Sequence, residues 1–288
     1  MKDRVCLLMM LGLLVASGCS RQGKYMGVDR LERGLVVVLP GIEGRGPLNA
    51  DIAEGLDEGG VNWGIEIWDW TSPWGELYNL RAQDRNRDQA RELAFRINRY
   101  RTTYPERPVV LVGMSGGAAI GVWAAESLHP EQLIDGAILI NAALSPTYNL
   151  TPALGNTKRG IVSFHSDRDW VLLGVGTQVF GTMDGKHTAG AGKVGFEIPP
   201  SMPDAYTKLY RIGWTRDMAR TGHGGGHLSS AAKGFVSRYV APLVLAREWS
   251  PDVISKIQRD DPRLETGGSP ISPSDEPVDT WRPISPSH

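Results

Sequence analysis

Pro108-Val109-Val110-Leu111-Val112-Gly113-Met114-Ser115-Gly116-Gly117-Ala118-Ala119 decides the fold. A β-branched apolar run of this kind is a strand buried on both faces, the sort found inside a parallel sheet. It enters G-x-S-x-G, and small residues then open a helix. A turn that sharp holds its serine in a strained conformation and brings the residues two positions either side against each other, so both flanks require glycine. Gly113 and Gly117 supply them. Ser115 then stands at a helix N-terminus, where unpaired backbone N–H groups can stabilise a developing negative charge.

Outward from this stretch, similar runs recur at residues 34–39, 63–70, 136–140, 160–164 and 207–214, with helical stretches between most of them. The clearest helix spans 84–100, with Ala90, Leu93, Ala94, Ile97 and Tyr100 on one face. Its opposite face carries Arg85, Arg87, Arg91, Arg96 and Arg99, read as a solvated stripe partly paired with Asp84, Asp88 and Glu92. Further helices are expected at 119–128 and 230–246. Strands alternating with helices predict an α/β fold: a doubly wound, mostly parallel sheet in one domain over 34–248.

The 288 residues are 41% hydrophobic and 22% charged, a globular balance, and the formal net charge of -1 argues against nucleic acid as a partner. The two cysteines, Cys6 and Cys19, both lie in the first twenty positions, so the body carries neither a disulfide nor a thiolate metal site. Lys2 and Arg4, the apolar run 5–15, and Ala16-Ser17-Gly18-Cys19 read as an export signal over 1–18. Its end resembles a bacterial lipoprotein signal, with Ala16 where leucine is usual. That resemblance implies lipidation at Cys19 and membrane attachment through an N-terminal lipid anchor; the alternative is simple cleavage after Gly18. Either way the address is extracytoplasmic, and Ser20 after the cysteine implies the outer rather than the inner membrane. Residues 19–33 read as a tether, and 249–288, rich in Pro and Ser, as a disordered tail.

A serine nucleophile needs a base to take its proton and a carboxylate to orient that base. The run 160–164 leads into His165-Ser166-Asp167-Arg168-Asp169-Trp170-Val171, and the run 207–214 is followed by Thr221-Gly222-His223-Gly224-Gly225-Gly226-His227. The order Ser, Asp, His resembles that of the α/β-hydrolases over about residues 34–246. The resemblance implies a triad of Ser115, Asp169 and His227, with Asp167 and His223 as alternatives. It also implies oxyanion donors from the backbone of Ile42 and Gly116, because Leu39-Pro40-Gly41-Ile42-Glu43-Gly44 matches the family's His-Gly loop with proline replacing histidine. Glu43 is then a candidate to face the substrate.

Two histidines at H-x-x-x-H spacing converge on a metal only from a helix, and three glycines between them make a poor one; no metal is expected. Neither 174–181 nor Gly185-Lys186-His187 keeps a nucleotide-binding spacing, and no cofactor is expected. Residues 174–195 read as a long flexible insert able to shape the pocket, without a large cap, while His165 reads as structural. These features point to a serine hydrolase acting on a small-molecule ester or related acyl substrate, esterase- or lipase-like. The alternative is an inactive relative serving as an envelope binding protein, with Trp68, Trp70 and Trp74 as its contact surface.

Overall fold

The computed structural model describes residues 23–129, 131–169 and 181–259. Six strands, β1 (Leu35–Leu39), β2 (Gly64–Ile67), β3 (Val109–Met114), β4 (Gly136–Ile140), β5 (Ile161–His165) and β6 (Leu209–Gly213), form one sheet. Its order is β2-β1-β3-β4-β5-β6, and every pairing is parallel. The expected doubly wound α/β architecture is therefore the observed one.

Strand alternation divides the core in two. Leu35, Val37 and Leu39 of β1 and Val109 and Leu111 of β3 face one apolar cluster, while Val36, Val38, Val110 and Val112 face the other. All are fully buried, which is why these strands read as continuous apolar runs. The first face is covered by the helices Gln83–Thr103 and Gly116–Glu126, the second by Pro47–Glu58 and the C-terminal helical segment through Leu243 and Val244.

Several boundaries differ from the sequence expectation. The helix Pro47–Glu58, not anticipated, buries Ile52, Ala53 and Leu56. The expected 230–246 helix is broken into the 3-10 turn Leu228–Ala231, the short helix Lys233–Phe235, the π-turn Val236–Val240 and the helix Ala241–Leu245. Pro242 lacks the N–H needed to continue the i−4 ladder, and a wider turn precedes it. On the arginine-rich helix, Arg91 pairs with Asp88, but Arg96 reaches Glu66 at 2.9 Å and Arg87 lies 3.7 Å from Glu126, so part of that stripe ties the helix to its neighbours.

Order also extends past both expected domain ends. Within the expected tether, Arg30 donates to the carbonyls of Trp63 and Val61 at 2.8 and 2.7 Å and pairs with Asp57, pinning the turn Val28–Leu31 to the domain. Beyond residue 248, Trp249 is buried beneath Gly136, where a Cβ would stand 2.5 Å from its ring, and the helix Pro251–Arg259 follows. The export signal, Cys19 and Ser20, and the Pro/Ser-rich stretch from 260, lie outside the described residues, as do Trp170, Val171 and residues 172–180. No described helix is long and apolar enough to cross a membrane.

The site's position follows from strand order. β1 lies between β2 and β3, so the chain reverses its direction of travel across the sheet there. At such a switch point the loops leaving the two central strands diverge and leave a crevice at their carboxyl ends. Leu39 pairs with Gly113, which brings the loop that begins at Pro40 and the turn at Ser115 to the same end of the sheet.

Candidate active site

Ser115 has φ 54 and ψ -119, a left-handed conformation costing roughly 1–3 kcal/mol for a residue with a side chain. The surroundings hold it there. Its N–H donates to the Ile140 carbonyl at 2.9 Å, and its own carbonyl accepts from Ala118 and Ala143, both at 3.1 Å. The glycine requirement is literal: a Cβ on Gly113 would stand 2.5 Å from the Gly117 carbonyl oxygen, and one on Gly117 only 2.2 Å from that of Leu39.

Gly116 answers to a different neighbour. A Cβ there would meet Ile42 Cγ2 at 2.8 Å and Ile42 N at 3.5 Å, so its absence lets the loop after β1 come against the start of the helix. Among the described residues, neither the Gly116 nor the Ile42 amide donates to a protein acceptor. Two amides without a protein acceptor among the described residues therefore lie close together next to Ser115. Trp70 and Asn79 fix that loop: Trp70 Nε1 donates to the Pro40 carbonyl at 2.7 Å, and Asn79 Nδ2 to that of Ile42 at 2.9 Å. Sequence reasoning missed Asn79, since a lone asparagine in a short helix carries no signal of a partner 37 positions away.

Asp169 and His227 meet. His227 Nδ1 lies 2.8 Å from Asp169 Oδ1, both side chains are largely buried, and each follows the end of a different strand. Asp169 is set by a turn, its N–H donating to Ser166 O at 2.9 Å, whereas Asp167 is exposed. With Nδ1 committed to a carboxylate, the imidazole keeps Nε2 for a reacting group. No hydrogen bond joins Ser115 to His227 among the described residues; such bonds are commonly long before substrate arrives.

His223 has another environment. Its ring packs edge-on against Phe235 at 4.6 Å, with Nδ1 3.3 Å from Ser229 Oγ, and it is 2% exposed. The H-x-x-x-H pair thus points to two unrelated sets of partners. The glycine loop is tied to its neighbours: Gly225, at φ 94, packs against Arg168, whose guanidinium lies over the Trp214 ring at 4.4 Å, and Trp214 Nε1 donates to the His223 carbonyl at 2.7 Å.

Burial pulls the His223 pKa down from 6.5 to about 4, because the charged ring would lose its hydration among apolar neighbours. The unfolded chain then binds this proton at higher pH than the folded one. Stability is untouched above about pH 6.5 and falls as pH drops toward about 4, by up to about 3 kcal/mol. Urea midpoints measured across that window will fall for the native protein and flatten in His223→Gln; identical profiles would exclude His223 as the cause.

Other expected features take definite places. His165 ends β5, its ring against Gly195 and Gly213, and burial lowers its pKa. His187 is exposed. Residues 181–195 are less free than a flexible insert: Met183 N donates to Ala143 O, Gly192 N to Ala142 O, and the Ser145 hydroxyl to Asp184, which knits the segment to the end of β4. Asn141, at the end of β4 with φ 49, is fully buried, and its side-chain polar atoms have no hydrogen-bond partner among the described residues. Of the tryptophans, Trp70 is core, Trp68 is partly buried and Trp74 is 80% exposed, so they do not form one contact surface.

Among solved structures, the chain resembles lipase B from Aspergillus fumigatus with a TM-score of 0.50 at 12% identity, covering 83% of this chain and 57% of that one. It thus spans little more than half of that lipase. A poly(3-hydroxybutyrate) depolymerase from Bordetella parapertussis matches at 0.47 and 15%, over 81% and 86% of the two chains. A cutinase-like protein from Cryptococcus matches at 0.39 and 14%, over 74% and 93%. No family model matches the sequence, and no curated protein does. At this identity the likeness concerns the fold alone, an α/β fold shared with that lipase.

Proposed function

We propose that this protein is a serine hydrolase that cleaves a carboxylic ester through an acyl-enzyme. Ser115 Oγ attacks the carbonyl carbon while His227 Nε2 removes its proton, and Asp169 holds the ring through Nδ1 and stabilises the imidazolium. The amides of Ile42 and Gly116 receive the oxyanion. Collapse of the tetrahedral intermediate breaks the ester C–O bond, and the departing alkoxide takes the proton from His227. Water, deprotonated by the same ring, then hydrolyses the acyl-enzyme and frees Ser115.

The observation that carries this reading is the His227–Asp169 pairing at 2.8 Å, in a fold whose switch point presents a strained serine between two free amides. A series of p-nitrophenyl esters of graded chain length is the test. His227→Ala is expected to lower kcat by about 10⁴-fold on whichever ester is cleaved best. His223→Gln should leave that rate within an order of magnitude at neutral pH. The reverse pattern would make His223 the base, and absence of turnover across the series would remove the ester assignment.

A further inference from the structure

Beside Ile42 a cavity of about 540 Å³ opens between the loop after β1 and the segment 69–79. Its wall includes Ile42, Glu43, Arg45, Asp69, Glu76 and Asn79. A group attached to a carbonyl held by the Ile42 amide has this cavity as a neighbour. Most of its polar wall is already engaged. Asp69 accepts from the amides of Arg45 and Thr71 and from the Thr71 hydroxyl, Arg45 donates to the Ile67 carbonyl, and Asn79 holds Ile42.

Glu43 is placed differently. It adjoins the proposed oxyanion donor in sequence, its side chain is exposed, and its carboxylate is drawn to backbone N–H groups, that of Gly41 at 3.2 Å and its own, which leaves the exposed side of the group to a ligand. It also lies within electrostatic reach of His227, and a protonated imidazole there would favour its ionised form. Loss of hydration beside the loop raises its pKa, against the pull of the backbone N–H groups of Glu43 and Gly41. A carboxylate at this point acts on any charge carried by the substrate within a few ångströms, an action that salt weakens because the group is exposed.

We infer that Glu43 is a specificity-determining residue: it favours esters whose cavity-bound group is cationic and disfavours anionic ones. The inference rests on the proposed ester hydrolysis and adds the charge class of the substrate to it. A uniformly neutral pocket would give no such discrimination, since a trimethylammonium and a tert-butyl group fill nearly the same space.

The test uses that isosteric pair. Esters bearing trimethylammonium, tert-butyl or carboxylate at the same distance from the carbonyl are compared by kcat/KM at about pH 8, above the ordinary carboxylate range. One set carries the group on the alcohol side, a second on the acyl side. On at least one side, the cationic ester is expected to exceed its neutral isostere by about tenfold and the anionic ester to fall below it, with the spread shrinking as salt rises. Glu43→Gln should bring the cationic-to-neutral ratio close to one, and Glu43→Lys should invert it. Fluorophosphonate labelling of Ser115 in each variant certifies that the fold and nucleophile persist. A ratio of one on both sides in the native protein, or an unchanged ratio in labelled Glu43→Gln, overturns the inference while leaving the hydrolase reading intact. No turnover of the neutral esters and no labelling would overturn that reading, and this inference with it.

Discussion

Ser115→Ala is expected to abolish both ester turnover and covalent labelling by a fluorophosphonate, with kcat falling by roughly 10⁴-fold or more. The magnitude follows from the role proposed for the hydroxyl: in that mechanism there is no acyl-enzyme without Oγ, and the amides of Ile42 and Gly116 would be left to assist direct attack by water. The same change should slightly stabilise the apoprotein if the alanine relaxes out of the left-handed region. It should leave stability nearly unchanged if the hydrogen bonds to Ile140, Ala118 and Ala143 continue to impose φ 54. Labelling followed by mass spectrometry, with thermal melts of both proteins, reads the two effects separately. Labelling that persists in folded Ser115→Ala would place the nucleophile elsewhere.

The largest effect on folding is expected from Gly117→Ala. A Cβ at this position would stand 2.2 Å from the Leu39 carbonyl oxygen and 2.3 Å from that of Pro40. Both are backbone atoms at the end of a central strand, so no side-chain rotation relieves the clash. Either the helix Gly116–Glu126 lifts from β1 or the loop carrying Ile42 moves. Ten residues of that helix are buried, and lifting it opens the core beneath Trp123 and Ile120. A loss of about 3 kcal/mol or more is expected, read as a fall in the urea midpoint at constant m-value. Gly155→Ala is the control, because nothing stands within 4 Å of a Cβ there; equal midpoints for the two variants would refute the packing argument.

These two positions show why the elbow was legible. Its requirements are local: a strand of known period, glycines at fixed offsets, and a helix that begins at once. The same holds for the parallel sheet, whose central strands announce themselves by having no polar face. Less local features were read poorly. The helix Pro47–Glu58 alternates polar and apolar residues weakly, and it is stable because β1, β2 and the C-terminal segment offer it an apolar surface. The turn at Arg30 and the helix after Trp249 look like linker by composition. They are ordered because one guanidinium finds two carbonyls and a carboxylate, and one indole finds a glycine to cover.

What the sequence by itself determined is the set of chemically competent groups: a serine in a turn only glycine permits, carboxylates after one strand, histidines after another, and a glycine loop after the first. The resemblance put Asp169 and His227 first and kept Asp167 and His223 as alternatives; the contact between the first two is a property of the fold. His223 and His227 are four residues apart in the same glycine-rich loop, and Asp167 and Asp169 share one turn. Their local signals differ little, and what separates them most is what distant segments bring to them. Phe235 and Ser229 enclose one imidazole and Asp169 meets the other, while Asp167 is left in solvent. Pairing across 58 residues is set by strand order and core packing. Those are properties of the assembled sheet, and no stretch of chain carries them alone.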